Sequence, residues 1–463
     1  QDQDGNNIIN ENANTITIGA SGDTVTLASG ASQSGFGRSG TVDWDTTAKT
    51  ASFTAVSGNG YFVNTTSGAI TVTLPAGSAG DIVGISDYAS TFQTNSVTIT
   101  PNGTDKINGT NDNAYLSTQG IAVSLVYVDS TRGWKSVTGS DADATGTAPA
   151  FVAATGGTVS TVDTDYKVHV FTGPGTFTVT CAGNVGGSNT IDYLVVAGGG
   201  GGGASPGTGD SGGGGGAGGF RESQCASFAP VYTASPLKTT TSLNLPVAAY
   251  PITVGGGGAA GSSSRGGDGN ASTLSTITST GGGGGGTYAT APNEGNDGGS
   301  GGGGSGGNPG TIPVTAGGSG NTPPVSPPQG QDGAPGGTPG VYGSNIVGGG
   351  GGGALNSPQI ARSGNQVGDA SGGDGAGTAI TPSSSYGTPG TTAGLRYFAG
   401  GGGVGNVPGR PGCIQGTSSG GDGGGGGTGS AGTTNTGGGG SSGTDGPGLA
   451  GGSGIVIIRY KFQ

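Results

Sequence analysis

Methionine is absent from the 463 residues, histidine occurs once and tryptophan twice, and only three residues are cysteine. Charge is scarce as well: Lys and Arg number 14 against 26 Asp and Glu, so that 9% of residues carry charge and the net charge is −12. Each scarcity excludes something. Phosphate contacts need clustered cations, and a chain with no basic patch is a poor partner for nucleic acid. Cys181, Cys225 and Cys413 are odd in number and far apart, which argues against a disulfide framework and against a zinc site. With His169 alone, a Cys/His metal cage is excluded, and no G-x-S-x-G elbow stands between a strand and a helix to hold a nucleophile. The segment Asp2-Gln3-Asp4-Gly5-Asn6 hints at a calcium loop but lacks the twelve-residue pattern and its terminal Glu. No metal, no cofactor and no catalytic residue is therefore expected. No apolar run approaches the ~20 residues of a membrane span. The N-terminus has neither the basic nor the apolar region of a signal peptide. Neither membrane insertion nor signal-directed secretion is expected. The missing initiator methionine suggests processing, or an upstream region that attaches the chain to something larger.

What is abundant is glycine, 116 residues, against a usual share of roughly 7%. The excess lies between Gly198 and Gly454, and the first 190 residues read as ordinary β protein. Residues 1–40 alternate Thr with apolar residues at period two, as in Asn14-Thr15-Ile16-Thr17-Ile18 and Thr24-Val25-Thr26-Leu27. Such a segment is too small to fold alone, and winding around identical copies would supply a core, so a homotrimeric β shaft is expected. In 41–138, strand-like runs at 50–56, 60–63, 69–74, 81–85, 96–100, 121–128 and 134–137 are separated by turn signals such as Asn102-Gly103 and Asn108-Gly109. They predict a small β-sandwich, with Trp44 and Trp134 in its core. Residues 139–149 read as a linker.

Residues 150–463 open on strands at 166–171, 175–180 and 191–197 and close on Ile455-Val456-Ile457-Ile458-Arg459-Tyr460. The runs 191–197 and 454–460 are too apolar to be half exposed. They are expected to pair, which makes one β base from the two ends of a long glycine-rich excursion. His169, in an alternating strand, reads as structural. Between these ends lie pure glycine runs, among them those bounded by Gly198 and Gly203, Gly212 and Gly216, Gly281 and Gly286, Gly348 and Gly353, and Gly423 and Gly427. Linkers have no reason to alternate repeatedly with structured inserts. The runs instead predict a bundle of polyglycine-II helices, with three residues per turn, no internal hydrogen bonds and backbone groups pointing to neighbours. A six-residue run would span about 19 Å at a ~3.1 Å rise. The fold class is thus all-β with essentially no α-helix: an N-terminal β shaft, a small β-sandwich, and a C-terminal β base (150–197, 220–254, 271–280, 454–463) carrying a polyglycine-II bundle.

Short helices that run up and down place successive inserts alternately at the base and at a tip. Counting parity puts 204–211, 261–268, 287–297, 321–335, 354–370, 404–419 and 441–448 at the tip. Their candidate binding residues are Tyr288, Asn293, Glu294 and Asn296, then Asn356, Gln359, Arg362 and Asn365, then Asn406, Arg410 and Gln415. Tyr and Arg anchor recognition patches, and Asn adds adaptable hydrogen bonding.

Three segments, Asn14 to Asp23, Val42-Asp43-Trp44-Asp45 and Leu74 to Asp81, make the N-terminal third resemble marine bacteriophage tail-fibre proteins. The run Tyr193-Leu194-Val195-Val196-Ala197 with the glycines that follow, and the closing Gly452 to Ile458, resemble the glycine-rich domain of phage fibres. The architecture is similar in principle to the distal adhesins of T-even-like phages, whose polyglycine-II helices carry receptor-binding loops. The resemblance implies a non-enzymatic receptor-binding fibre of the virion tail, trimeric, held by other tail proteins through its N-terminal side. Its partner would be a bacterial surface receptor, protein or glycan. An ice-binding or structural glycine-rich protein and a polysaccharide-cleaving tailspike are the alternatives.

Overall fold

The computed structural model describes residues 42–138, 150–184, 187–205, 211–225, 232–288, 293–306, 315–337, 347–358, 370–405 and 419–463, and the backbone of 9–12 and 15–18. They hold strands and turns and no helix. The chain divides into two compact units, Gln1–Ala148 and Pro149–Gln463. In the first, Ile9–Asn12 and Thr15–Ile18 form an antiparallel hairpin. The expected strand at 24–27, the acidic segment 2–6 and the linker 139–149 lie outside the described residues.

Two sheets share one core in the first unit. The chain alternates between them. Strands Asp43–Lys49, Asn59–Val63 and Ile82–Asp87 are parallel neighbours in one sheet. Strands Phe53–Thr54, Ile70–Thr73 and Val97–Thr100 are parallel neighbours in the other. The sandwich is thus wound as a coil before it closes with antiparallel Ala114–Leu116, Ala122–Asp129 and Gly133–Ser136. Alternation sets the faces: Ile70, Val72, Val97 and Ile99 are buried, and the threonines between them lie on the opposite face. Burying a side chain of that size contributes about 1.5–3 kcal/mol.

Trp134 is fully buried, but Trp44 is 41% exposed, against expectation. Its strand, Asp-Trp-Asp-Thr-Thr-Ala-Lys, is a charged edge strand that pattern reading passes over. The indole lies on the outer face of the sheet, its ring centroid 5.0 Å from that of Phe62. A Cβ on Gly60 would stand 2.7 Å from it. The glycine floor gives the ring a flat seat outside the core.

In the second unit, Ile455–Lys461 pairs antiparallel with both Tyr166–Phe171 and Asp192–Val196. The two apolar ends do pair, at the centre of a six-stranded sheet. Both faces are covered. Val456, Ile458 and Tyr460 pack with Phe177, Ile252 and Leu274 of a five-stranded sheet. Ile455 and Ile457 pack with Phe220, Ile380 and Phe398. The hairpin Ala376–Thr378 and Arg396–Phe398, which supplies part of that second cover, was not foreseen. His169 is fully buried. Its Nδ1–H donates to the Gly156 carbonyl at 2.7 Å, and its Nε2, 3.0 Å away, accepts from the Tyr460 hydroxyl. Burial lowers its pKa.

Above this base stands the glycine bundle, and its hydrogen bonds have period three. Residues 198, 201 and 204 donate to the carbonyls of 270, 267 and 264. Residues 199, 202 and 205 donate to 452, 449 and 446, and residues 200 and 203 to 216 and 213. Partner numbers fall as donor numbers rise, so these three neighbours run antiparallel. The carbonyls of 198 and 201, 199 and 202, and 200 and 203 accept from 282 and 285, 258 and 261, and 440 and 443, three parallel neighbours. One run therefore bonds to six others and to none of its own residues, as polyglycine-II geometry requires.

The need for glycine is one of distance. None of 198–203 has positive φ. A Cβ on Gly200 would stand 2.2 Å from the Gly283 carbonyl oxygen, and one on Gly203 1.9 Å from that of Gly286. Gly423 and Gly437, at φ +97° and +72°, instead serve reversals near the base. A backbone hydrogen bond contributes about 1 kcal/mol net, and ordering each residue costs about 1–2 kcal/mol. The lattice thus needs the apolar base beneath it.

The direction of each run follows from its partners. Runs 281–287 and 300–306 ascend from the base, whereas 211–219, 264–270 and 347–353 descend. The expected tip assignment fails at 321–335 and at the start of 354–370, where Ala354, at the end of the descending run 347–353, packs with Phe220 and Phe398 of the base and donates its N–H to the Ala399 carbonyl at 2.9 Å. Residues 321–329 lie at the base, where the Gln329 carbonyl accepts from Phe220 N–H and its side-chain Oε1 from Thr280 N–H, at 2.8 and 2.9 Å. The reversal near Asp297–Ser300 makes two runs of what parity counting merged into one, and this shifts the register of the runs that follow through 347–353.

Candidate functional site

The far end of the bundle gathers the run termini that feed the inserts. Fully buried Ala204 donates its N–H to the Ser264 carbonyl at 3.1 Å. The Ala204 carbonyl accepts from Tyr288 N–H at 3.2 Å and from the Thr287 hydroxyl at 3.1 Å. Ser205 pairs with Gly446, and Ser211 with Thr444. The Ser211 hydroxyl accepts from Gly348 N–H at 2.8 Å, and its carbonyl accepts from Gly306 N–H at 3.3 Å. Ala370 and Val404 bury each other beside Val347. This lacing fixes the described flanks of 206–210, 289–292, 307–314, 338–346 and 406–418 in one place. The local reason is substitution of Ala, Ser and Thr for glycine where runs end: a small side chain fits, and a hydroxyl caps a backbone group that has lost its lattice partner.

Among the candidate residues, Tyr288 and Asn293 are at this end. Asn293 Nδ2 donates to the Thr287 carbonyl at 2.8 Å, and the Asn293 carbonyl accepts from Ser305 N–H at 3.1 Å. Asn293 closes its own loop. Glu294 and Asn296 lie further down one flank with Arg265 and Asp268. Asn296 Nδ2 donates to Asp268 Oδ1 at 2.7 Å, its Oδ1 accepts from Arg265 Nη1, and Glu294 stands 3.7 Å from Arg265 Nη2. Asp268 Oδ1 also accepts from Gly284 N–H at 2.8 Å. Asn356 is apart from all of these: its Nδ2 donates to Asp374 Oδ2 at 3.2 Å, beside Ser371 and Ser419. Gln359, Arg362, Asn365, Asn406, Arg410 and Gln415 lie outside the described residues.

Sequence reading passed over Arg265, Asp374 and Ser419, and no spacing signal could have found them. In a three-residue helix the neighbours of a side chain come from other runs.

The strongest electrostatics lie in the base. Glu222 is 2% exposed. Its Oε2 accepts from Ser235 N–H at 2.8 Å and its Oε1 from the Thr378 hydroxyl at 2.5 Å. Burial pushes its carboxyl up to about 7, against those hydrogen bonds. Burial also raises Asp192, which accepts from the Ser242 hydroxyl and from Cys225 N–H. Buried Arg459 lies between the rings of Tyr166 and Tyr232 and pairs with Asp163 at 2.6 Å. These groups fasten the sheet to 232–238 and to the hairpin at 376–398. Among the described residues, no cluster of His, Cys, Asp or Glu could hold a metal ion. Chemically, the described part of the far end offers hydroxyls, backbone groups and the Asn293 carboxamide on a support that the lattice holds in place.

The glycine-rich domain family matches residues 170–461. No curated protein matches the chain.

Proposed function

The chain belongs to the glycine-rich domain family, and from that premise we propose that it is a bacteriophage tail-fibre protein whose bundle presents receptor-binding loops to a host cell. The observation that carries this reading is the gathering of the run termini at the end opposite the apolar base. Most glycines of the lattice leave no room for a side chain, so the runs have little freedom to vary, whereas the inserts can lengthen and change without touching them. Recognition then has a rigid mount, and rigid loops lose little entropy on binding. The reading includes a homotrimer, which multiplies weak contacts through effective concentration, a place in the virion tail and attachment to other tail proteins through the N-terminal side.

The test is staining of a panel of aquatic bacteria with labelled protein, full-length and truncated before residue 150. Selective staining that requires 150–463 is expected. A folded full-length protein that stains no strain counts against the reading. A second reading, ice binding, draws on Thr54, Thr73 and Thr100, which align across neighbouring strands, with Thr71 and Thr98 in the adjacent row. Thermal hysteresis in solution would favour it.

A further inference from the structure

Asn356, Ser357, Ser371, Asp374 and Ser419 line a groove of ≈ 380 Å³ on the flank of the bundle. We propose that this groove binds a saccharide, so that the receptor is a neutral glycan; the proposal rests on the receptor-binding reading above. The volume falls at the lower end of small-molecule sites, roughly 300–1,000 Å³. The floor is the backbone of Gly372 and Gly373, both buried. It is held in the lattice: Gly373 N–H donates to the Gly351 carbonyl at 2.9 Å and Gly372 N–H to the Ser419 carbonyl at 3.1 Å. A side chain on either glycine would collide with neighbouring backbone, at 1.9 Å for Gly372. The floor is therefore fixed before any ligand arrives.

The walls decide the ligand. Serine hydroxyls and the Asn356 carboxamide can donate and accept, and the Asp374 carboxylate accepts only. Asp374 Oδ2 takes one hydrogen bond from Asn356 at 3.2 Å and Oδ1 one from Asp422 N–H at 3.3 Å. A carboxylate has roughly four acceptor sites, so capacity remains for two adjacent hydroxyls of a sugar ring. Among the described residues no Lys or Arg lines the groove, and Asp422 adds a second negative charge beside Asp374. Phosphate, sulfate and uronate groups are repelled there. An apolar peptide anchor, the usual centre of a protein–protein interface, finds no apolar wall among the described residues. A neutral polyol satisfies donors and acceptors together.

The experiment uses the labelled full chain on a strain that it stains. Cells are treated beforehand with periodate, which cleaves vicinal diols, or with proteinase K. Asp374→Asn and Ser419→Ala proteins are compared with the parent and with Ser384→Ala, a control outside the groove, after thermal melts confirm folding. The proposal expects periodate and both groove variants to reduce staining at least tenfold, with protease and Ser384→Ala without effect. Loss of staining with protease but not periodate, or parental staining by both groove variants, overturns the glycan groove and leaves the receptor-binding reading standing. Absence of staining on every strain overturns both.

Discussion

At the residue scale, two kinds of glycine are distinguished by what a methyl group would meet. At Gly200 it meets a carbonyl oxygen at 2.2 Å, whereas at Gly256 the nearest atom is Asn270 Nδ2 at 3.7 Å. Gly200→Ala is expected to cost about 3 kcal/mol or more, and Gly256→Ala to change stability by under about 0.5 kcal/mol. Chemical denaturation of the two variants checks this, and equal effects would refute the lattice. Glu222 gives a pH signature. Its folded pKa, near 7, exceeds the unfolded value of ~4.3. Its contribution is fully present below about pH 4.3 and is lost as pH rises through 7, roughly 4 kcal/mol in all. Melting temperature against pH should fall less steeply across that window for Glu222→Gln than for the parent. Asp192, raised by the same burial, leaves a residual slope of the same sign. His169 opposes it: with a lowered pKa, its contribution is present above ~6.5 and is lost as pH falls. Parallel melting curves for Glu222→Gln and the parent would show that Glu222 does not titrate in the window.

At the scale of elements, reversals at the two ends of the bundle differ in what they hold. The segment 321–329 is fastened from within: Asn321 Oδ1 accepts from Val325 N–H and Gln329 N–H, and Gln329 Nε2 donates to the Pro323 carbonyl at 3.1 Å. Buried Gln329 also holds Thr280. Gln329→Ala should cost about 2 kcal/mol, because it leaves the Thr280 N–H without its partner. Residues 262 and 263 are exposed at the opposite end. A four-residue Gly/Ser insertion between them should move the melting temperature by no more than ~2 °C, since exposed loop length is tolerated. Thermal melts of both variants decide the comparison. A large loss from the insertion would mean that the far end is not free to vary.

At the scale of the whole molecule, the last strand controls the second unit. Ile455–Lys461 is the central strand of its sheet, and it buries side chains into two separate cores. Truncation after Gly454 removes both sets and leaves Tyr166–Phe171 and Asp192–Val196 without a shared partner. The second unit is then expected to be digested by protease at concentrations that spare 42–138, which has a core of its own. Survival of the glycine bundle in the truncated chain would show that the lattice stands without its base.

Much of this was legible from residues alone. The apolar runs at 191–197 and 454–460 announced their pairing, because strands without a polar face must be covered on both sides. Pure glycine runs announced backbone-to-backbone packing, because a Cβ leaves no room for it. Trp44 was misplaced because hydrophobicity says that a ring seeks cover, whereas the glycine floor that let it lie outside is set by strands 59–63 and 82–87. The reversal at 297–300 was invisible because glycine and serine read the same in a run and in a turn. The groove at Asp374 joins residues from runs separated by up to 63 positions, from 356 to 419. Composition and periodicity therefore determined what kind of core each half has. Only the tertiary structure decided which run lies beside which, because every glycine run presents the same backbone and the order of neighbours is set by the β base and the reversals that join them.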